Sequence, residues 1–111
     1  VDAGPGAGTE PPGGAIVVVP GEGGPVMHLS GDVDAELISR LGGARVFQQQ
    51  RIVAVDVREL AYIDSSGLSL LVWWARTRAR NGEDAVVRGV TPRFERVLHV
   101  SGLTGVFVPE P

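Results

Sequence analysis

Residues 52–80 read IVAVDVRELAYIDSSGLSLLVWWARTRAR, and two periodicities meet inside them. Ile52-Val53-Ala54-Val55-Asp56-Val57 is a nearly continuous apolar run, the pattern of a parallel strand buried on both faces. Arg58 and Glu59 make a brief connection, and Leu60 to Ile63 leads into Asp64-Ser65-Ser66-Gly67. From there to about Arg80 apolar positions recur at helical spacing. Asn81-Gly82 then supplies a glycine for the left-handed residue that ends a helix. At about 100° per residue, Leu68, Leu71, Val72, Ala75 and Ala79 share one arc, extended by Leu70 and Trp74, and this arc is the expected core face. The opposite arc collects Ser65, Ser66, Ser69, Trp73, Arg76, Thr77 and Arg80. A buried strand running straight into an amphipathic helix is half of a β-α-β unit, so the chain points to an α/β fold.

The flanking segments complete that pattern. Residues 15–19 and 26–30 are short apolar or alternating runs joined by Pro20-Gly21-Glu22-Gly23-Gly24-Pro25, which reads as a hairpin with a loose loop and an edge first strand. Gly31-Asp32-Val33-Asp34 punctuates the chain, and Asp34 is placed to cap a helix through Leu37, Ile38 and Leu41 and onward to Val46 and Phe47. Gly42-Gly43 falls in the middle of that helix and weakens it by roughly 1 kcal/mol per glycine relative to alanine. Residues 85–90 form the next strand. Thr91-Pro92 has the chemistry of a helix cap followed by proline at the first helical position. The helix it opens, residues 93–100, stops at Ser101-Gly102, with Leu103 placed to fold back on the last turn, and residues 106–108 make a final strand. The order β-β-α-β-α-β-α-β predicts a single α/β domain with a mixed, mostly parallel sheet of about five strands and three or more helices, since single helices between strands impose parallel crossovers.

Composition sets the limits of this domain. The chain has 111 residues and a formal net charge of −3, all ten basic residues are arginine, and there is no cysteine. Thiol nucleophiles, disulfides and Cys-ligated metals are therefore excluded. The scattered arginines make no stripe for tracking phosphates, which disfavours nucleic acid. No apolar run approaches the ~18 residues of a membrane span, so a cytoplasmic, soluble protein without membrane association is expected. Residues 3–14 contain only small residues, proline, threonine and glutamate, so residues 1–14 are expected to be disordered. The domain is placed at residues 15–108, with 109–111 as a tail.

Chemistry concentrates at the start of the long helix. A helix N-terminus presents free N–H groups and a partial positive charge, so a phosphate on Ser65 fits there without local unfolding. It would add about 1.5 to 2 negative charges beside Asp64 and at the rim of the surface bearing Trp73, repelling a partner shaped to a neutral hydroxyl. The plainer alternative is that Asp64-Ser65-Ser66 simply caps the helix, since Asp and Ser are preferred there. Exposed tryptophan beside arginine is the composition of an interface hot spot. Arg76, Arg78 and Arg80 also suit the negative end of the helix, with Arg76 and Arg80 sharing the arc of Trp73. A hydrolase built from Ser65, His99 and Asp64 is disfavoured, because adjacent Asp and Ser do not form a relay through His and no Gly-x-Ser-x-Gly elbow is present. Asp32, Asp34 and Asp64 serve turns and caps more simply than a metal, and the Gly-rich start lacks the Gly-Lys-Ser/Thr of a phosphate loop. His28 reads as a strand residue.

Asp64-Ser65-Ser66-Gly67-Leu68 resembles the signature of the STAS domain, specifically of bacterial anti-sigma factor antagonists. Three further segments match in order. Gly31-Asp32-Val33-Asp34 is similar to the Gly-Glu-Leu-Asp that ends the second strand. Residues 52–56 are similar to the strand before the signature, and Pro92 through Ser101-Gly102-Leu103 to the last helix and its stop. Together they cover residues 15–108. The resemblance implies a STAS-like fold and a regulatory binding protein, not an enzyme. It places the phosphorylatable serine at Ser65, with Asp64 orienting its hydroxyl or contacting the kinase and Ser66 a neighbouring, usually unmodified hydroxyl. Asp32, Asp64, Ser65, Ser66, Ser69, Trp73, Arg76 and Arg80 are the expected partner-binding residues. In that family the dephosphorylated antagonist binds an anti-sigma factor that is also a serine kinase with a histidine-kinase-like ATP site, which frees the sigma factor. A metal-dependent serine phosphatase reverses the modification, and ATP and Mg belong to the kinase, so no cofactor is expected here. The resemblance also leaves two other roles open, an accessory subunit of a transporter ATPase and a scaffold subunit of a stress-sensing complex. The stretch between Gly31 and Asp64 is about one helical turn shorter than the family pattern, and Ser69 replaces a small apolar residue or glycine.

Overall fold

A computed structural model describes residues 13–43, 45, 47 and 50–110. The two short runs near the start pair as antiparallel strands, β1 (Ala15–Val19) and β2 (Val26–Val33), in the register Val19↔Val26 to Ala15↔Ser30. The chain then crosses through α1 (Ala35–Arg40) to β3 (Ala54–Ile63), through α2 (Ser65–Arg80) to β4 (Val86–Arg88), and through α3 (Pro92–Val100) to β5 (Val108–Pro109). β2, β3, β4 and β5 run parallel, and the sheet order follows the chain, β1-β2-β3-β4-β5. Among the described residues this is the expected mixed, mostly parallel five-stranded sheet, packed with α1, α2 and α3, and β1 is an edge.

Met27, Leu29, Val33, Val55, Val57 and Val87 are buried from the strands, and Leu37, Leu71, Trp74 and Phe94 from the helices. α1, α2 and α3 are stopped by the same device. The residue after the C-cap is a glycine with positive φ, Gly42 at 86°, Gly82 at 72° and Gly102 at 72°. In each case the next residue's N–H reaches back to the carbonyl five residues before it: Gly43 to Ile38, Glu83 to Arg78 and Leu103 to Leu98. These are paired 6→1 and 5→2 bonds that satisfy carbonyls left open at a helix end.

Five expectations are corrected. Gly42-Gly43 does not weaken the middle of a helix; it terminates α1 after Arg40, because two adjacent positive-φ residues complete the closing turn. Of the residues expected further along that helix, Val46 lies outside the described residues, while Phe47 is buried with its ring stacked 5.9 Å from that of Trp74. β2 does not stop before Gly31-Asp32-Val33, and β3 does not break at Arg58-Glu59. Register shifts between His28 and Ser30 and between Gly31 and Asp32 absorb the irregular residues, leaving Arg58 and Glu59 exposed within a continuous strand. β4 covers less than residues 85–90, since Gly89 takes φ 68°, where a Cβ would sit 2.7 Å from Cβ of Arg58. Pro109 and Glu110, expected in a tail, join the sheet edge, where Glu110 N–H donates to Val87 and its carboxylate pairs with Arg88.

Candidate functional site

The site is built where β3 hands the chain to α2. Asp64 has extended backbone and caps α2, its Oδ1 accepting from Gly67 N–H at 3.0 Å. Its other oxygen, Oδ2, accepts from Ala35 N–H at 3.0 Å, the first residue of α1. Asp34 independently caps α1 through Leu37 N–H, also at 3.0 Å. One carboxylate therefore ties two helix starts together, and both of its oxygens are engaged with backbone donors instead of the hydroxyl of Ser65. Gly67 is required by space. A Cβ there would sit 2.5 Å from Cγ1 of Ile63 and 3.0 Å from the carbonyl of Val33, so the first turn of α2 closes directly onto the ends of β2 and β3.

Ser65 is the first residue of α2 and is exposed. Its hydroxyl makes no hydrogen bond among the described residues, so it stands free at the positive end of a helix of 16 residues. From it a groove of about 460 Å³ runs along α2. Ser69, Val72, Trp73 and Arg76 line it, with Leu68 at its floor, and the far wall comes from Ser101 and Leu103 in the turn that ends α3. Four of the expected partner-binding residues are thus brought together: Ser65, Ser69, Trp73 and Arg76.

Leu68, Val72, Ser101 and Leu103 were missed as site residues. The expected core arc of α2 is rotated in the folded protein, where Gly67, Leu70, Leu71, Trp74 and Ala75 are buried while Leu68 and Val72 are half-buried and Ala79 is exposed. The rotation follows from the close seat of Gly67 and from Trp74, whose indole Nε1 donates to the carbonyl of Ile52 at 3.0 Å. The sequence signal for Leu103 was its fold-back after Ser101-Gly102, which spacing alone does not connect to α2.

The remaining expected contacts lie elsewhere. Ser66 is half-buried beside the groove and does not line it. Asp32 sits within β2 opposite Tyr62, a residue 56% exposed. Arg80 turns to the hydroxyl of Thr77 at 3.3 Å, and Thr77 in turn donates to the carbonyl of Trp73 at 3.0 Å. Arg78 is pinned at the end of α2, with Nε on the carbonyl of Asp84 at 2.8 Å and Nη1 on Glu83 at 3.3 Å, and Glu83 also pairs with Arg51. Burial first, and then neighbouring Arg51, hold the Arg78 guanidinium below its ordinary value against the opposing pull of Asp84. His99 lines a different cavity with Phe94 and Phe107, and His28 lies 4.0 Å from Asp56. Among the described residues no group of three or more His, Asp and Glu is arranged to hold a metal ion. None of the helices described is long and apolar enough to cross a membrane.

Comparison with known proteins agrees with this architecture. A family model described as "Mlab, STAS domain" matches residues 19–109. An anti-sigma-B factor antagonist of Listeria monocytogenes is 24% identical over 83 residues, 72% of this chain and 73% of the relative. Among solved structures, an anti-sigma factor antagonist from Mycobacterium paratuberculosis superposes with a TM-score of 0.69 at 23% identity, over 93% of this chain and 90% of that one. The anti-sigma factor antagonist SpoIIAA in its unphosphorylated form gives 0.65 at 18% identity, covering 87% and 89%. The phosphorylated form of Bacillus SpoIIAA gives 0.61 at 18%, covering 87% and 92%. At these identities the structural likeness carries the fold.

Proposed function

Because the chain belongs to the STAS-domain family, we propose that it is an anti-sigma factor antagonist whose binding is switched by phosphorylation of Ser65. The unphosphorylated protein binds an anti-sigma factor that is also a serine kinase and so frees a sigma factor. Phosphate on Ser65 ends that binding, and a metal-dependent serine phosphatase restores it. ATP and Mg are used by the kinase, and this chain acts in the cytoplasm as a binding surface and as a substrate, not as a catalyst.

The observation that carries the reading is the placement of Ser65. Its hydroxyl is exposed, heads a groove lined by Trp73 and Arg76, and has a neighbouring carboxylate already engaged by two backbone donors. A phosphate there meets the free N–H groups of a helix start, so α2 tolerates it. A partner lying over the groove instead meets a bulky dianion at its rim. The curated relative and the SpoIIAA structures, one of them phosphorylated, support the same reading.

The test is to mix the protein with candidate anti-sigma kinases and ATP and to map phosphate by mass spectrometry. Phosphate is expected on Ser65 and lost in Ser65→Ala, and Ser65→Asp is expected to abolish binding while leaving the circular dichroism spectrum unchanged. Phosphate on another serine would overturn the switch. Binding indifferent to Ser65→Asp would do the same, and would favour an accessory or scaffold subunit.

A further inference from the structure

We propose that β1 is a self-association edge, on which a second copy of this chain adds its own β1 antiparallel about a two-fold axis through Val17 and so joins two sheets into one. Nothing in this pairing depends on a switch at Ser65. Of the strands described, β1 and β5 lie at the two edges of the sheet, and they are guarded very differently. β5 is two residues long, contains Pro109, and is flanked by the ion pair of Arg88 with Glu110. Short length, proline and charge are the features that keep an edge from pairing with another chain. β1 is Ala15-Ile16-Val17-Val18-Val19, five residues with no proline and no charge, four of them β-branched. It runs beside β2 in unbroken register from Ala15↔Ser30 to Val19↔Val26, so no bulge turns its free side away. At its centre Val17 is 52% exposed.

The strand is complementary to itself. A two-fold at Val17 sets Val17 against Val17, Ile16 against Val18 and Ala15 against Val19, so every facing pair is apolar and no charge opposes its like. In an antiparallel pair the backbone groups of alternate residues point away from the neighbouring strand. Residues 15, 17 and 19 exchange among themselves under this two-fold, and so do 16 and 18, so whichever set faces outward meets its own kind and the ladder closes. Pro20 has no N–H and falls opposite Gly14, which ends the ladder at the same point in both copies. The faces match as well. Ile16 and Val18 already pack against the core, and the pairing carries that layer across the axis, while Ala15, Val17 and Val19 stay together on the other face. A contact of this kind uses the same patch in both copies and closes at two. A five-residue strand is far short of the roughly 20–30 residues a side of a standard interface, so the dimer is a transient, concentration-dependent one. The groove beside Ser65 lies on α2 and the end of α3, which cross toward β4 and β5, and pairing at β1 leaves it open in both copies.

The test is sedimentation velocity of the full chain from micromolar to millimolar concentration, where a shift from monomer to dimer is expected. Val17→Lys changes an exposed position and sets two cations against each other across the axis. It should weaken the dimer about tenfold or more and leave the circular dichroism spectrum unchanged. Val108→Lys, the corresponding change at the other edge, should leave the dimer intact. NMR of the wild-type chain reads the register without any variant. Ala15 and Val19 are about 13 Å apart along one strand, too far for a nuclear Overhauser effect, so a cross-peak between their methyl groups reports the second copy. A chain that stays monomeric at millimolar concentration would overturn the proposal and leave the edge to a strand of another protein. A dimer that survives Val17→Lys, is lost in Val108→Lys, or shows no Ala15–Val19 cross-peak would overturn it too.

Discussion

Trp73 and Trp74 are neighbours in the chain with the same side chain, and α2 sends them to opposite tasks. Trp74 is 3% exposed, stacks on Phe47 and donates its indole N–H to Ile52. Trp73 is half-buried, tilted against the same phenylalanine at 6.2 Å, and turned to the groove. The 100° step of a helix is enough to separate a core residue from a groove-lining one. The side chain's chemistry does not choose between them; what each indole meets in space does.

The largest expected effect is on the buried member. Trp74→Ala should lose about 3–5 kcal/mol of stability in urea denaturation, a large part of what a small domain has. Trp73→Ala should lose less than about 1 kcal/mol in the same measurement and should weaken partner binding instead, since hot-spot tryptophans act mainly across an interface. If both variants unfold alike, the division of roles between the two faces of α2 is wrong. Gly67→Ala comes next. Its added methyl meets Ile63 and the carbonyl of Val33, so a loss of about 1–3 kcal/mol is expected, and an unchanged urea midpoint would mean that α2 is not seated as tightly as described.

Asp64→Ala should cost about 1–2 kcal/mol, as loss of a helix cap does. Faster amide exchange is expected at both Gly67 and Ala35, because one carboxylate holds both. Faster exchange at Gly67 alone would remove the tie between the two helix starts. The smallest effect separates the arginines of the exposed arc. Arg80→Ala should leave stability within about 0.5 kcal/mol and partner affinity unchanged, while Arg76→Ala should lower affinity measurably by isothermal titration calorimetry.

Much of the fold is legible in local chemistry. Asp34, Asp64 and Thr91 were readable as caps and act as caps, each accepting from the N–H three residues on. The glycine stops at Gly82 and Gly102 were equally plain, because a left-handed terminus leaves a local signature. Gly42-Gly43 was misread for want of one fact: without a neighbouring element to show where α1 must turn, two glycines inside an apolar pattern look like a flaw and not an ending. Arg58-Glu59 misled in the same way, since a charged pair in a strand reads as a break until a shifted register places both side chains in solvent.

For the candidate site, helical periodicity puts Ser65, Ser69, Trp73 and Arg76 on one arc, and all four line the groove, but the same arc holds Ser66 and Arg80, which do not. Periodicity was not enough to find Ser101 and Leu103, which join them from another helix, nor to show that Leu68 and Val72 form the groove floor. The sequence by itself determined the order of elements, their caps, and a chemistry of hydroxyls and arginines without thiols, since each depends on residue type and short spacing. Tertiary structure decided which tryptophan is buried, what walls the groove, and that Asp64 holds α1 as well as α2. Those outcomes depend on how helices sit against a sheet, and spacing along the chain does not encode that distance.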